Sequence, residues 1–387
     1  MTSKPTTQAP IVQGWCPGAL RPMLSGDGWV VRVRAHGGRL TPQQAAGVAE
    51  LSAQYGNGLL DLSARANLQI RGVSETAHPD LISGLRALGL IDTDIATETG
   101  RNILTTPFYA GNLLPDMVAQ LETALAAARL PLPGKFGYAL DIGPKPVLRD
   151  ASADIRVEQA DGALIVRADG MTTGAAVTSD SFAGTVIALA EWFLAQGGVT
   201  NGRGRMAALI AKGTPTPKGF DAVPMSAETA PVAAPGLTDH GALIGLEFGQ
   251  IAAETLDQLA ALGPLRLTPW RMILIEGLAT LPALPGLISD PSDPRRRVTA
   301  CTGAPGCLQA LRPTRDLAHV LAPLIPAGQM LHVSGCAKGC AHPGPAPLTL
   351  TATAQGFDLI RNGTAADAPA LTGLAPDTLT QDFPGMI

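Results

Sequence analysis

The chain is poor in cysteine, in aromatic rings and in charge, and each shortage removes a class of protein. Five cysteines in 387 residues, four of them near the C-terminus, are too few and too uneven for a disulfide framework. Charged residues are 16% of the chain and the formal net charge is −4, so no basic field exists to hold nucleic acid. No apolar run reaches the length of a bilayer span, and the polar opening Met1 to Pro10 lacks the apolar core of a secretory signal. These absences predict a cytoplasmic protein that uses neither membrane nor nucleic acid. Aromatics are 4% against 46% hydrophobic residues overall, so the cores must be filled by alanine, leucine and valine. Glycine (44) and proline (33) are plentiful, which predicts many sharp loops.

Two stretches share a strand, helix, strand pattern. From Trp29 to Arg34 a period of two sets Val31 and Val33 on one face and Arg32 and Arg34 on the other. A helix follows, with Thr41 as N-cap and Pro42 in its first position; it carries Ala45, Val48, Ala49 and Leu51 and stops near Gly56. The return stretch Leu59 to Val73 alternates. Leu60, Leu62, Leu68 and Ile70 fall on one parity, and Asp61, Ser63, Arg65, Asn67, Gln69 and Arg71 on the other. A solvated sheet face accounts for that polar parity as well as a binding wall does.

The second unit has a strand at Leu243 to Leu246, a helix through Leu256 and Leu259, and a strand at Arg271 to Ile275. Leu267 to Arg271 echoes Leu62 to Arg65 with its arginine displaced by one position, and Arg296 to Cys301 echoes Arg101 to Pro107. An internal duplication of about 200 residues is expected. Helical patterns at Met117 to Leu130 and Ser181 to Gln196, with a strand at Ala163 to Ala168, make the intervening region mixed α and β. The Pro- and Ala-rich stretch Lys212 to Gly236 reads as a linker.

Cys301 and Cys307 are separated by five residues and Cys336 and Cys340 by three, with glycines at 303, 306, 335 and 339. Four thiolates hold an iron–sulfur cluster, and nearby glycines let backbone N–H groups approach the sulfurs. The rival is a structural zinc site, whose ligand pairs are usually two to four residues apart, and a lesser one is incidental buried cysteine. Cys16, alone near the N-terminus, reads most simply as a small buried hydrophobe.

The two cysteine pairs, the duplication and the passage Arg101-Asn102-Ile103-Leu104 resemble the sirohaem-dependent nitrite and sulfite reductase superfamily. Gly14 to Met23, Ser25 to Gly28 and Arg65 to Gly72 resemble one branch of it, the precorrin-3B synthases of aerobic cobalamin biosynthesis. The resemblance implies an α+β fold with two ferredoxin-like half-repeats forming one pseudo-two-fold unit plus two mixed α/β domains. The expected segments are 1–75 and 237–285 for the half-repeats, 76–211 and 286–387 for the α/β domains, and 212–236 for the linker.

The resemblance further implies a 4Fe-4S cluster on the four cysteines and a tetrapyrrole met by cations at Arg65, Arg101 and Lys135. In the reductases a second lysine follows Lys135-Phe136, but glycine stands there at Gly137. Arg32, Arg34, Asn67, Gln69 and Arg71 are added from the polar strand faces, because carboxylates around a macrocycle need donors on several walls.

The implied reaction uses dioxygen and NADH to hydroxylate precorrin-3A at ring carbon 20 with lactone formation. A second iron is also implied, mononuclear or in sirohaem; the catalytic residues are unassigned, and His36, His332 and His342 are its candidates by position alone. No G-x-G-x-x-G follows a strand, and Gly202-Arg203-Gly204-Arg205 lacks that context, so a separate NADH-dependent donor is expected. A sirohaem nitrite or sulfite reductase and a non-catalytic electron carrier are the alternative readings.

Overall fold

The computed structural model describes residues 17–386 apart from Pro144, Asp161, Thr229 and Val232. Cys16 and the passage before it lie outside the described residues. The chain divides into two units, residues 24–28 with 290–386, and residues 17–23 with 29–289.

The larger unit contains the duplication. In its first half the helix Pro42–Tyr55 starts where the sequence signals put it. Thr41 Oγ1 accepts from Gln44 N–H at 3.2 Å and Gln44 returns the bond to Thr41 N–H at 3.0 Å. The helix ends at Gly56, where the backbone turns extended and a β-carbon would lie 2.5 Å from the Arg71 carbonyl.

The strands Gly28–Val33, Leu68–Val73, Leu59–Leu62 and Gln250–Ala252 pair in that order. A second sheet runs Gly236–Thr238, Gly241–Leu246, Met272–Glu276, Leu265–Leu267 and Arg39–Leu40. Each half therefore completes its neighbour's sheet. Arg39–Leu40 pairs with Leu265–Leu267, and Gln250–Ala252 pairs with Leu59–Leu62. The helices Pro42–Tyr55 and Ala253–Ala260 pack on each other over one continuous apolar core.

The extended stretch expected at Leu59 to Val73 is a hairpin instead. Ser63 Oγ accepts the N–H groups of Arg65 and Asn67 at 3.4 and 3.3 Å, and Ala66 takes φ of 53°. This side-chain-to-backbone turn offers the backbone an alternative to the ladder, and the six-residue step from Leu62 to Leu68 preserves parity across it. Arg65 consequently sits on the turn rather than on a strand. The second half repeats the device with Thr268, whose Oγ1 accepts from Trp270 and Met272, while Arg271 takes φ of 59°.

Residues 103–224 build a sheet ordered Val223–Pro224, Thr173–Val177, Ala163–Ala168, Ile155–Ala160, Tyr138–Asp141 and Ile103–Thr105. Its last three strands are parallel and the rest antiparallel, with helices Leu113–Ala128 and Phe182–Ala195 packed together beside it. The smaller unit repeats the layout. Val298–Ala300, Leu331–Ser334 and Ala346–Ala352 are parallel, then Phe357–Gly363 and Leu371–Leu374 antiparallel.

Segment 145–153 is fastened from below. Asp141 Oδ2 accepts the N–H groups of Val147 and Leu148, each at 2.7 Å, and Arg156 donates to the carbonyls of Leu148 and Ala151, each at 2.8 Å. Burial, reinforced by Glu158 and opposed by these two N–H groups and Arg156, pushes Asp141 up to about 6. A carboxyl raised in the folded state stabilises it below the ordinary carboxyl range, and that stability is lost as pH rises through about 6. Asp141→Asn should remove the dependence. Between pH 4.5 and 7 the parent should lose about 2 kcal/mol more than the variant in urea unfolding. Equal losses in the two proteins would refute the assignment.

Candidate functional site

Parallel pairing explains why the cysteines gather. Val298–Ala300 and Leu331–Ser334 lie side by side in parallel, so the loops leaving their C-terminal ends emerge at one edge. Cys301 leaves the first strand with its N–H on the Val333 carbonyl at 3.2 Å. Cys336 leaves the second, its carbonyl accepting from Ser334 Oγ at 2.7 Å.

The loops touch through glycine. A β-carbon on Gly335 would lie 2.6 Å from Ala310 Cβ of the other loop, while one on Gly303 would lie 2.5 Å from Thr314 Oγ1 within its own loop. That approach aims the Gly335 N–H at Cys301 Sγ, 3.1 Å away. Desolvation pushes the Cys336 and Cys340 thiols up, and the nearness of the other thiols adds to it; the Lys338 backbone N–H works the other way on Cys336.

Among the described residues, no three or more of His, Cys, Asp and Glu converge tightly enough to hold one metal ion. A single zinc needs sulfurs about 3.8 Å apart, given its ~2.3 Å bonds. In a cluster each thiolate has its own iron, so the four thiols need not converge on one point, and the Gly335 N–H on Cys301 Sγ is the kind of donor such a group takes.

His332 is fully buried in its strand, its ring edge-on to His342 with centroids 5.8 Å apart, and a β-carbon on Gly339 would meet its Cε1 at 3.6 Å. His36 belongs to the larger unit, where its Nδ1 lies 2.8 Å from Glu122 Oε2.

In the larger unit, Arg32, Gln69, Asp61 and Gln250 occupy one row across the first sheet. Arg32, Arg34, Asn67 and Arg71 are buried. Arg71 pairs with Asp61 at 3.0 Å, and Arg34 Nη1 donates to Asn102 Oδ1 at 2.5 Å. Asn102, not singled out from sequence, is a hub: its Nδ2 donates to the carbonyls of Thr99, Gly134 and Phe136.

Arg101 is committed inside the protein. It grips Asp92 with Nε and Nη2, each at 2.9 Å, reaches Glu122 at 3.3 Å and holds the Arg34 carbonyl at 2.9 Å. The carboxylate-binding role expected for it gives way to that of a brace behind Arg34. Arg65 is half-buried and donates to the Lys135 carbonyl and to Ser152 Oγ, and Lys135 itself is exposed.

The duplication supplies an internal comparison. Register matches Arg32 and Gln69 of the first half with Leu243 and Leu274 of the second, and the matching turns pair Asn67 with Met272 and Arg65 with Trp270. The Asp61–Arg71 pair even recurs with its signs exchanged, as Arg266 Nε on Glu276 Oε1 at 2.7 Å. Phe108 closes the second face, packing on Leu243, Met272 and Leu274 and stacking on Trp270 with centroids 6.2 Å apart. One backbone plan thus carries a polar row throughout in one half, while in the other an apolar plug covers Leu243 and Leu274 beside the charged Arg39, Arg266 and Glu276.

The Nitrite/Sulfite reductase ferredoxin-like half domain matches residues 21–88. A precorrin-3B synthase from a Sinorhizobium species is 32% identical over 96% of this chain and 87% of its own length. The chain belongs to the precorrin-3B synthase family. By that membership it is an oxidoreductase. A ferredoxin–nitrite reductase from Synechococcus elongatus is more distant, 26% identical over 93% of this chain and 86% of its own length. The NirA protein of Mycobacterium tuberculosis shares the fold, with a TM-score of 0.63 and 18% identity over 92% of this chain and 79% of that one. Precorrin-3B synthases thus share their duplicated α+β architecture with the reductases.

The described part of the family-like N-terminal passage is held by Glu98. Its carboxylate accepts the N–H groups of Ala19 and Leu20 at 2.5 and 3.2 Å, and a β-carbon on Gly18 would strike it at 2.4 Å. Among the described residues no helix is long and apolar enough to cross a membrane.

Proposed function

We propose that this chain converts precorrin-3A to precorrin-3B, with a 4Fe-4S cluster on Cys301, Cys307, Cys336 and Cys340. One oxygen atom of dioxygen enters the substrate as the hydroxyl at ring carbon 20 with lactone closure. The other leaves as water, with two electrons drawn from NADH through a separate donor protein. The cluster, when bound, supplies single-electron transfer, and a second iron is part of the same reading. The chain's own contribution is to bind and orient. Arg32, Asn67 and Gln69 line the wall, Arg34 and Arg71 are set beside them, and Arg65 and Lys135 present cations at the turn.

The observation that carries this reading is the contrast between the two halves. A solvated sheet face would need no counterpart closed by Phe108, and the first half keeps buried arginines where the second has leucine and glycine. Gly137 favours the synthase over the reductase alternative. A β-carbon there would lie 3.2 Å from the Asn102 carbonyl, a tight approach, and in ordinary contact with Arg65 Nη1 at 3.4 Å, and the lysine expected there in a reductase is absent.

The protein purified without oxygen should contain iron and sulfide, and should oxidise precorrin-3A when given reductant and dioxygen. Sirohaem absorption together with nitrite or sulfite reduction, and no turnover of the precorrin, would establish the reductase alternative instead.

A further inference from the structure

Two guanidinium groups meet on one hydroxyl. Ser152 Oγ accepts from Arg65 Nη2 at 3.0 Å and from Arg205 Nη1 at 3.1 Å. A serine hydroxyl has two acceptor positions and one hydrogen. With both positions taken, the hydrogen remains to donate to an oxygen. The Lys135 carbonyl takes the second bond from Arg65 Nη2 at 2.9 Å, and the Lys135 side chain is exposed.

Arg205 is anchored yet reachable. Its Nε donates to Asp154 Oδ1 at 2.9 Å and its Nη2 to the Ala153 carbonyl at 3.1 Å, while 37% of the side chain stays exposed. Asp154 is wholly buried and divides its charge further, accepting from Met206 N–H at 2.8 Å and Gly137 N–H at 3.0 Å. Two guanidinium groups therefore converge on Ser152, one of them held by the buried Asp154. Like charges held this close repel, and an oxyanion placed between the forks relieves the repulsion while gaining charge-assisted bonds.

We propose that Arg65, Ser152 and Arg205 form a clamp for one rim carboxylate of the tetrapyrrole. This rests on the reading of the polar wall as the substrate's, and adds Arg205 and Ser152 to it. The clamp is preorganised: Asp154 fixes Arg205, and the segment carrying Ser152 is fastened by Asp141 and Arg156. Gly137 keeps room for it beside Arg65 Nη1.

Arg205→Ala would strip Asp154 of its cation and endanger folding, so the test uses Arg205→Lys and Ser152→Ala, with unchanged thermal midpoints as the control. Each protein is titrated anaerobically with precorrin-3A, without reductant, and the dissociation constant read from absorbance; inorganic sulfate is titrated separately. Both variants should bind the precorrin about tenfold more weakly, as loss of a hydrogen bond to a charged group predicts. Unchanged affinity in both, with Arg65→Met still weakened, would overturn the clamp and leave the wall standing. Unchanged affinity in all three would overturn both. If sulfate binding is lost in the variants but precorrin affinity is not, the site serves a free anion and the proposal fails.

Discussion

Cys336→Ser should give a protein that folds, lacks stoichiometric iron and sulfide, and has no visible cluster absorption. Serine keeps the size of the side chain but not the thiolate, and four thiolates are what a cluster of this kind requires. The loss of activity should exceed the ~10–100-fold that follows removal of an outer hydrogen bond at a metal site. The fold should survive, because other bonds hold the loops. Leu311 N–H reaches the Gly335 carbonyl at 2.8 Å and Thr314 Oγ1 the Cys301 carbonyl at 2.7 Å. Iron and sulfide analysis beside circular dichroism tests both halves of the statement. A full complement of iron and sulfide in the variant would remove Cys336 from the ligand set.

Arg101→Met and Arg65→Met should fail in opposite ways. Arg101 and Asp92 are 6% and 8% exposed in their side chains. Removing one partner of so buried a pair strands the other charge, at a cost of about 3–5 kcal/mol in urea unfolding. Arg65 is half-buried on a turn and ends on a carbonyl and a hydroxyl in the bonds described. Its loss should change stability little and weaken precorrin-3A binding by about ten- to a hundredfold. The reverse pattern, a stable Arg101→Met with poor binding, would return Arg101 to the carboxylate-binding set.

The sequence made legible whatever rests on local chemistry. Thr41 and Pro42 start a helix because capping acts within a few residues, and the helix is where they put it. The duplication was visible in the echo of Leu62 to Arg65 by Leu267 to Arg271, and the displaced arginine proved to be a substitution of Trp270 at Arg65's place. What escaped needs distant partners. Nothing near Arg101 in sequence announces Glu122, and nothing near Gly202 to Arg205 announces Ser152, fifty-three residues away. The Ser63 turn was missed because a six-residue step leaves the alternation intact. His36, a candidate by position alone, is held by Glu122.

The exchanged strands Arg39–Leu40 and Gln250–Ala252 bear on how the chain is made as well as on what it is. The edge of Leu59–Leu62 stays uncovered until residues 250–252 have been synthesised. At ~5–20 residues per second that delay is about 10–40 s. An open strand edge is a template for pairing with the wrong chain, so the nascent first half is the stage at which this protein most needs a chaperone. Fission between the halves would leave each fragment with a gap in its sheet that only the other fills.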